Sequence, residues 1–126
     1  MNSFKLYLPI LVLLQILTSS LATLYPVSVA NILNAPLTIH CIAQGQNVSR
    51  DNAPAGFVLN MSIDTNLANP TATCQLSSGN LHGNFVVFDS SKEPNRCFNG
   101  RCLWQARPDG LYLVINGQFS LVYKWP

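Results

Sequence analysis

Charge is scarce in this chain of 126 residues: five acids, seven Lys and Arg together, and two His. That scarcity bears first on chemistry. Asp64, Asp89, Glu93 and Asp109 fall at turns or strand ends, where a short acid bonds its own backbone, so no pair of carboxylates is set to flank a cleft. The two histidines, His40 and His82, fall on a strand face and in a loop, with no free nucleophile beside either. There is no Gly-rich run to cradle a phosphate; the lone glycines mark turns. Beyond the N-terminus no stretch of helical length keeps a 3.6 period, and there is no internal repeat or low-complexity tract. The expectation is a protein that is not an enzyme and has no cofactor and no metal site.

What is present starts with an address. Met1 to Lys5 places one positive charge before an apolar run from Leu6 to Leu17, and Ser20-Leu21-Ala22 supplies small residues where a signal peptidase reads. Residues 1–22 are therefore expected to be a secretory signal peptide, cleaved after Ala22. The run is shorter than the roughly 20 residues of a bilayer span, and Thr18-Ser19-Ser20 ends it. No second apolar segment of that length follows. Residues 23–126 then form one extracellular domain with no membrane span after signal removal. Its net charge is 6 − 5 = +1, because only Lys5 is lost. The basic residues are scattered, which argues against nucleic acid as a partner.

All four cysteines, Cys41, Cys74, Cys97 and Cys102, lie in the mature part. In an oxidising compartment an even count implies two disulfides. Zinc competes poorly, since only Cys97 and Cys102 are close and no second close pair matches them. Three pairings are possible. Cys41 and Cys102 both sit mid-strand with core parity, which favours Cys41–Cys102 and Cys74–Cys97.

The C-terminal stretch is the most explicit. Cys102, Trp104 and Ala106 share one face by period-2 alternation. Pro108-Asp109-Gly110 is turn chemistry, Leu111 to Ile115 is a strand, and Asn116-Gly117 is the strongest short signal for a type I′ hairpin. Phe119, Leu121, Tyr123 and Trp125 then alternate with Ser120, Val122 and Lys124. The expected core aromatics are Trp104, Tyr112, Tyr123 and Trp125.

Upstream, Val27 to Leu33 and Leu37 to Cys41 read as a hairpin broken at Asn34-Ala35-Pro36. Ala43 to Ala55 loses all apolar period and reads as a polar loop. Phe57, Leu59, Met61 and Ile63 alternate cleanly, a half-buried strand. Thr71 to Leu76, with few large side chains, reads as a strand near a sheet edge. Asn84 to Asp89 is apolar throughout and reads as buried on both faces. Short strands at regular spacing, with turns between, predict an all-β fold: a single β-sandwich of seven to eight mostly antiparallel strands.

Two N-glycosylation acceptors occur, Asn47 (Asn-Val-Ser) and Asn60 (Asn-Met-Ser), and parity puts Asn60 on the solvent face. A secreted β frame without a catalytic set works through its loops. The candidates are the segment with Gln44, Gln46, Asn47, Arg50, Asp51 and Asn52, and the loops at 64–69 and 90–95. A carbohydrate-binding or inhibitor-like defence module is the alternative, and its mark would be exposed, coplanar rings among the four aromatics.

Several motifs resemble, in order, the plant self-incompatibility S1 family. They are Val29-Ala30-Asn31, Leu37-Thr38-Ile39-His40-Cys41, Pro54-Ala55-Gly56-Phe57, Cys74, and Phe85-Val86-Val87-Phe88-Asp89. The last is Cys97-loop-Cys102-x-Trp104 followed by Asp109-Gly110-Leu111-Tyr112. The resemblance spans about residues 27–125. It departs at Gln44 to Arg50, where the family usually has an acidic stretch, and at Thr71-Ala72-Thr73, where it usually has aromatics. The resemblance implies a small secreted plant protein, a disulfide-linked β-sandwich acting as a signalling ligand. In poppies such ligands are presented by the stigma and their loops are read by a pollen membrane receptor. A cell-surface protein receptor is thus the implied partner here.

Overall fold

The computed structural model describes residues 24–68, 70–92, 97 and 100–126. The expected signal peptide lies outside the described residues. Nine strands form two sheets, with no helix among the described residues. The strands are β1 (Leu24–Asn31), β2 (Leu37–Ala43), β3 (Gln46–Ala53), β4 (Val58–Asp64), β5 (Thr71–Ser78), β6 (Leu81–Asp89), β7 (Cys102–Arg107), β8 (Gly110–Ile115) and β9 (Gln118–Lys124). One sheet runs β4-β1-β7-β8-β9 and the other β3-β2-β5-β6. All pairings are antiparallel except β1 with β7. The all-β sandwich is as the alternation predicts.

The inner faces meet in one core. Val27, Val29, Ile39, Ile63, Leu76, Val87, Trp104, Leu111 and Leu113 are fully buried there. Alternation explains why: β4 reads Leu59, Met61 and Ile63 inward, and β7 reads Cys102, Trp104 and Ala106 inward. Each fully buried aliphatic side chain stabilises by about 1.5–3 kcal/mol relative to exposure. Pro26 has no N–H to give, and it precedes the β7 ladder, which begins at Val27.

The first two strands do not form the expected hairpin. β1 pairs with β4 and β7, whereas β2 pairs with β3 and β5 in the opposite sheet. Residues 32–36 cross between the layers, and buried Asn31 organises the crossing. Its Nδ2 donates to the carbonyls of Ala35 (2.9 Å) and Ala53 (3.0 Å), and its Oδ1 accepts from the Leu33 N–H (2.9 Å). Its own N–H and C=O bond Phe57 O and Gly56 N, so every polar group of this interior residue is matched.

The disulfides join Cys41 to Cys74 and Cys97 to Cys102, not Cys41 to Cys102 and Cys74 to Cys97. The register gives the reason. Cys41 faces Cys74 directly across β2 and β5, with Cα atoms 4.0 Å apart. Cys102 belongs to the other sheet, and packed sheets lie about 10 Å apart, beyond the roughly 7 Å that a bridge tolerates between Cα atoms. Cys102 bonds instead to Cys97, five residues upstream (Cα–Cα 4.9 Å).

Three further expectations change. β5 lies inside its sheet, between β2 and β6, rather than at an edge; its small side chains suit a crowded inner position. β6 is the edge, with Val86 half-buried rather than enclosed on both sides. In β9 a bulge breaks the alternation: Tyr112 faces Leu121 while Leu111 faces Tyr123, so Val122 is an extra residue. Phe119 and Leu121 therefore share the outer face with Tyr112, and Tyr123 turns to the core side with Leu111. Trp104, Tyr123 and Trp125 are core aromatics as expected, but Tyr112 is not. β8 and β9 close tightly here, since a Cβ on Gly110 would collide with the Tyr123 carbonyl oxygen.

Candidate functional site

The stretch read as a polar loop is in fact a hairpin. Gln44 and Gly45 both have positive φ (53° and 78°), the two-residue type I′ turn that suits twisted strands. β3 follows as an edge strand. It shows no apolar period because Gln46 and Arg50 share the parity of Val48, and only Val48, half-buried, and Ala53 are withdrawn from solvent. At the far end of β3 two residues, Asp51 and Asn52, face the single Thr38. Asn52 takes positive φ (50°), and its N–H donates to Thr38 Oγ1 (3.1 Å).

The six residues expected to face a receptor have different roles. The Gln44 amide is consumed: its Nε2 donates to the Asp64 carbonyl (2.6 Å) and its Oε1 accepts the Asp64 N–H (3.0 Å). That pair ties the β2–β3 turn to the end of β4 in the other sheet. Gln46, Asn47, Arg50, Asp51 and Asn52 are exposed. Arg50 lays its guanidinium 4.9 Å from the Phe57 ring centre.

The structure brings the turn of the first predicted segment together with the other two loops, whereas Arg50, Asp51 and Asn52 lie towards the far end of β3. Ala43 pairs with Ala72, Thr71 with Asp89, and Leu24 with Asp64, so the connections after β2, β4 and β6 leave from one end of the sandwich. Hydrogen bonds link them: Gln44 N–H to Thr71 O (3.3 Å) and Ser90 N–H to Pro70 O (3.3 Å). Asp64 Oδ1 accepts the Asn66 N–H, and Asp89 Oδ1 accepts the Ser91 N–H and hydroxyl. These acids have the turn-fixing role expected of them. Leu67 is half exposed at the crest. Residues 93–96 of the third loop lie outside the described residues.

The outer face of the four-stranded sheet is polar. His40 Nε2 and Asp51 Oδ1 are 2.6 Å apart, a partnership the loop assignment of Asp51 concealed. His40 borders an open groove of about 460 Å³, lined also by Ile42, Asn47, Ser49, Thr73, Gln75 and Asn84. Ser49 faces His40 in register, so hydroxyl, imidazole and carboxylate lie side by side. No hydrogen bond joins Ser49 to the imidazole among the described residues, and the His40 and Asp51 side chains are 52% and 74% exposed. Water competes for both, and a nucleophile has no activated base there.

The rings offer no flat platform. Trp104 is wholly buried, its Nε1 donating to Val87 O (2.8 Å). Tyr123 and Trp125 pack on the core beside Phe85, donating to Val86 O (2.9 Å) and Arg107 O (2.8 Å). On the outer face, Tyr112 and Phe119 hold the Arg107 guanidinium at 4.8 and 4.6 Å from their ring centres, a cation–π arrangement that occupies the rings. Asn60 is exposed as parity predicts, its Oδ1 accepting from Ser28 Oγ (2.7 Å). Among the described residues no cluster of His, Cys, Asp or Glu has metal-site geometry, and no helix is long and apolar enough to cross a membrane.

Fold and site together define a small two-bridge β-sandwich whose polar connections gather at one end. The chain belongs to the plant self-incompatibility protein S1 family, whose model matches residues 26–125. No curated protein and no solved structure matches it.

Proposed function

We propose that this protein is a small secreted plant ligand, read at its loop end by a cell-surface receptor, as self-incompatibility S1 proteins are expected to be. The observation that carries the reading is the convergence of three polar connections on one end, tied to a frame with two disulfides. Such a frame fixes loop positions at low entropy cost, and loops so held are free to vary without disturbing the core. Secretion is supported by the N-terminal signal pattern and by the even set of cysteines, all bridged.

The test replaces one exposed residue in or beside each connection, Gln46, Asn66 and Lys92, with alanine. Saturable binding of the tagged, secreted chain is then measured on membranes from the tissue that makes its receptor. Binding should weaken at least about tenfold with folding unchanged, the loss of one hot spot's worth of contact. Full binding by the triple variant rules out this end as the recognised surface.

A further inference from the structure

We propose that the first sugars of an N-glycan on Asn47 lie in the groove across the outer face of the four-stranded sheet, covering Ile42. The inference rests on the reading that the chain is secreted, and goes beyond it by assigning the groove an occupant. Asn47 is both a glycosylation acceptor and part of the groove lining. It stands directly opposite Ile42 in the β2–β3 register, where facing side chains have Cβ atoms about 5 Å apart. Ile42 is 56% exposed on an otherwise mostly polar face, and the apolar face of a pyranose ring fits such a side chain.

The groove chemistry suits a sugar in other respects. Thr73, Gln75 and Asn84 line it, and none of these side chains has a hydrogen-bond partner among the described residues. Amides and hydroxyls both donate and accept, which matches sugar hydroxyls and an acetamido group. The groove lining contains no Asp, Glu, Lys or Arg, as a neutral ligand requires. Strands lie about 4.8 Å apart, so a disaccharide core reaches from β3 over β2 to β5. Attachment to Asn47 raises the local sugar concentration to the millimolar range or above, so weak contacts suffice.

The attachment follows the ordinary secretory reaction. Asn47 Nδ2 displaces the diphosphate from C1 of a lipid-diphosphate-linked oligosaccharide: the C1–O bond breaks, an N–C1 bond forms, and one amide proton is lost. The docked sugar covers the side of β3 that bears Asn47 and Ser49. Gln46, on the opposite parity, stays open beside the loop end.

The full chain, expressed through a plant secretory pathway, supplies the test. Peptide mass mapping reads occupancy at Asn47, and nuclear Overhauser effects read contacts between the Ile42 methyl groups and the first sugar. Native enzymatic release of the glycan is then timed in wild type and in Ile42→Ser, with Thr73→Ala, in the same cross-strand row on β5, as a second variant should the first not fold. Contacts to Ile42 are expected, with release about tenfold faster in the variants, the change produced by losing 1.4 kcal/mol of docking. A bare Asn47 on secreted protein overturns the inference and leaves secretion standing. An occupied Asn47 whose sugar makes no contact with Ile42, or equal release rates, overturns it as well. Protein absent from the medium defeats both readings.

Discussion

Trp104 and Val87 join the two sheets: the indole Nε1 on β7 donates to the Val87 carbonyl on β6, 2.8 Å away. The acceptor lies on an edge strand, whose outward carbonyls would otherwise need water, yet Trp104 is wholly buried. Trp104→Phe keeps most of the packing and removes the donor. It should destabilise by about 1–3 kcal/mol, the cost of an unmatched buried acceptor. The check is the midpoint of chemical denaturation at unchanged slope.

Asn31→Ala should cost about 3 kcal/mol. It strips partners from the Leu33 N–H and the Ala35 and Ala53 carbonyls together. Asn31→Asp should not rescue. It retains an acceptor for Leu33 but turns an oxygen towards two carbonyls. Recovery of wild-type stability by Asp would mean that the amide donors are dispensable.

The two bridges should differ in worth. Cys41–Cys74 closes a loop of sequence separation 33 and Cys97–Cys102 one of 5. On chain entropy the first contributes about 4 kcal/mol and the second about 2 kcal/mol. Paired Cys→Ala variants, unfolded by heat or denaturant, test the order. A larger loss from the short loop would contradict it.

Tyr112 should ionise late. Its hydroxyl donates to Asp109, and that hydrogen bond, with smaller contributions from desolvation and the Asp109 charge, raises its pKa above the ordinary value of 10.0; Arg107 opposes the rise. A pKa raised by folding gives stability that is fully present below the unfolded value and lost as pH climbs through the folded one. Asp109→Asn should therefore bring Tyr112 ionisation to lower pH in an ultraviolet titration, and flatten the alkaline loss of stability. No change in the titration would separate the two residues.

Much of the frame was legible because burial on one face imprints a period of two. β4 and β7 alternate without fault, and Asn116-Gly117, with φ of 52° and 73°, closes the last hairpin as its sequence requires. What stayed hidden depended on partners far along the chain. β3 withdraws only Val48 and Ala53 from solvent, too little for a visible rhythm. The Val122 bulge parts Phe119 and Leu121 from Tyr123 without altering one residue type. The cysteine pairing followed from which sheet each strand joins, and parity alone cannot distinguish two strands that both point inward. Of the candidate site, the polar segments themselves were readable, but the capture of Gln44 by Asp64 and the meeting of His40 with Asp51 were not.

The position of β1 has a consequence for synthesis. The first strand of the domain lies between β4 and β7, and Val27 waits for Cys102, roughly 75 residues downstream. Such distant pairing is slow to form, whereas β2, β3, β5 and β6 become available earlier and contain the Cys41–Cys74 bridge between them. A nascent chain can thus lock half of the sandwich covalently while the apolar side of β1 still has no neighbour on one flank. The interval before Trp104 arrives is when the polypeptide most needs protection from other unfinished copies.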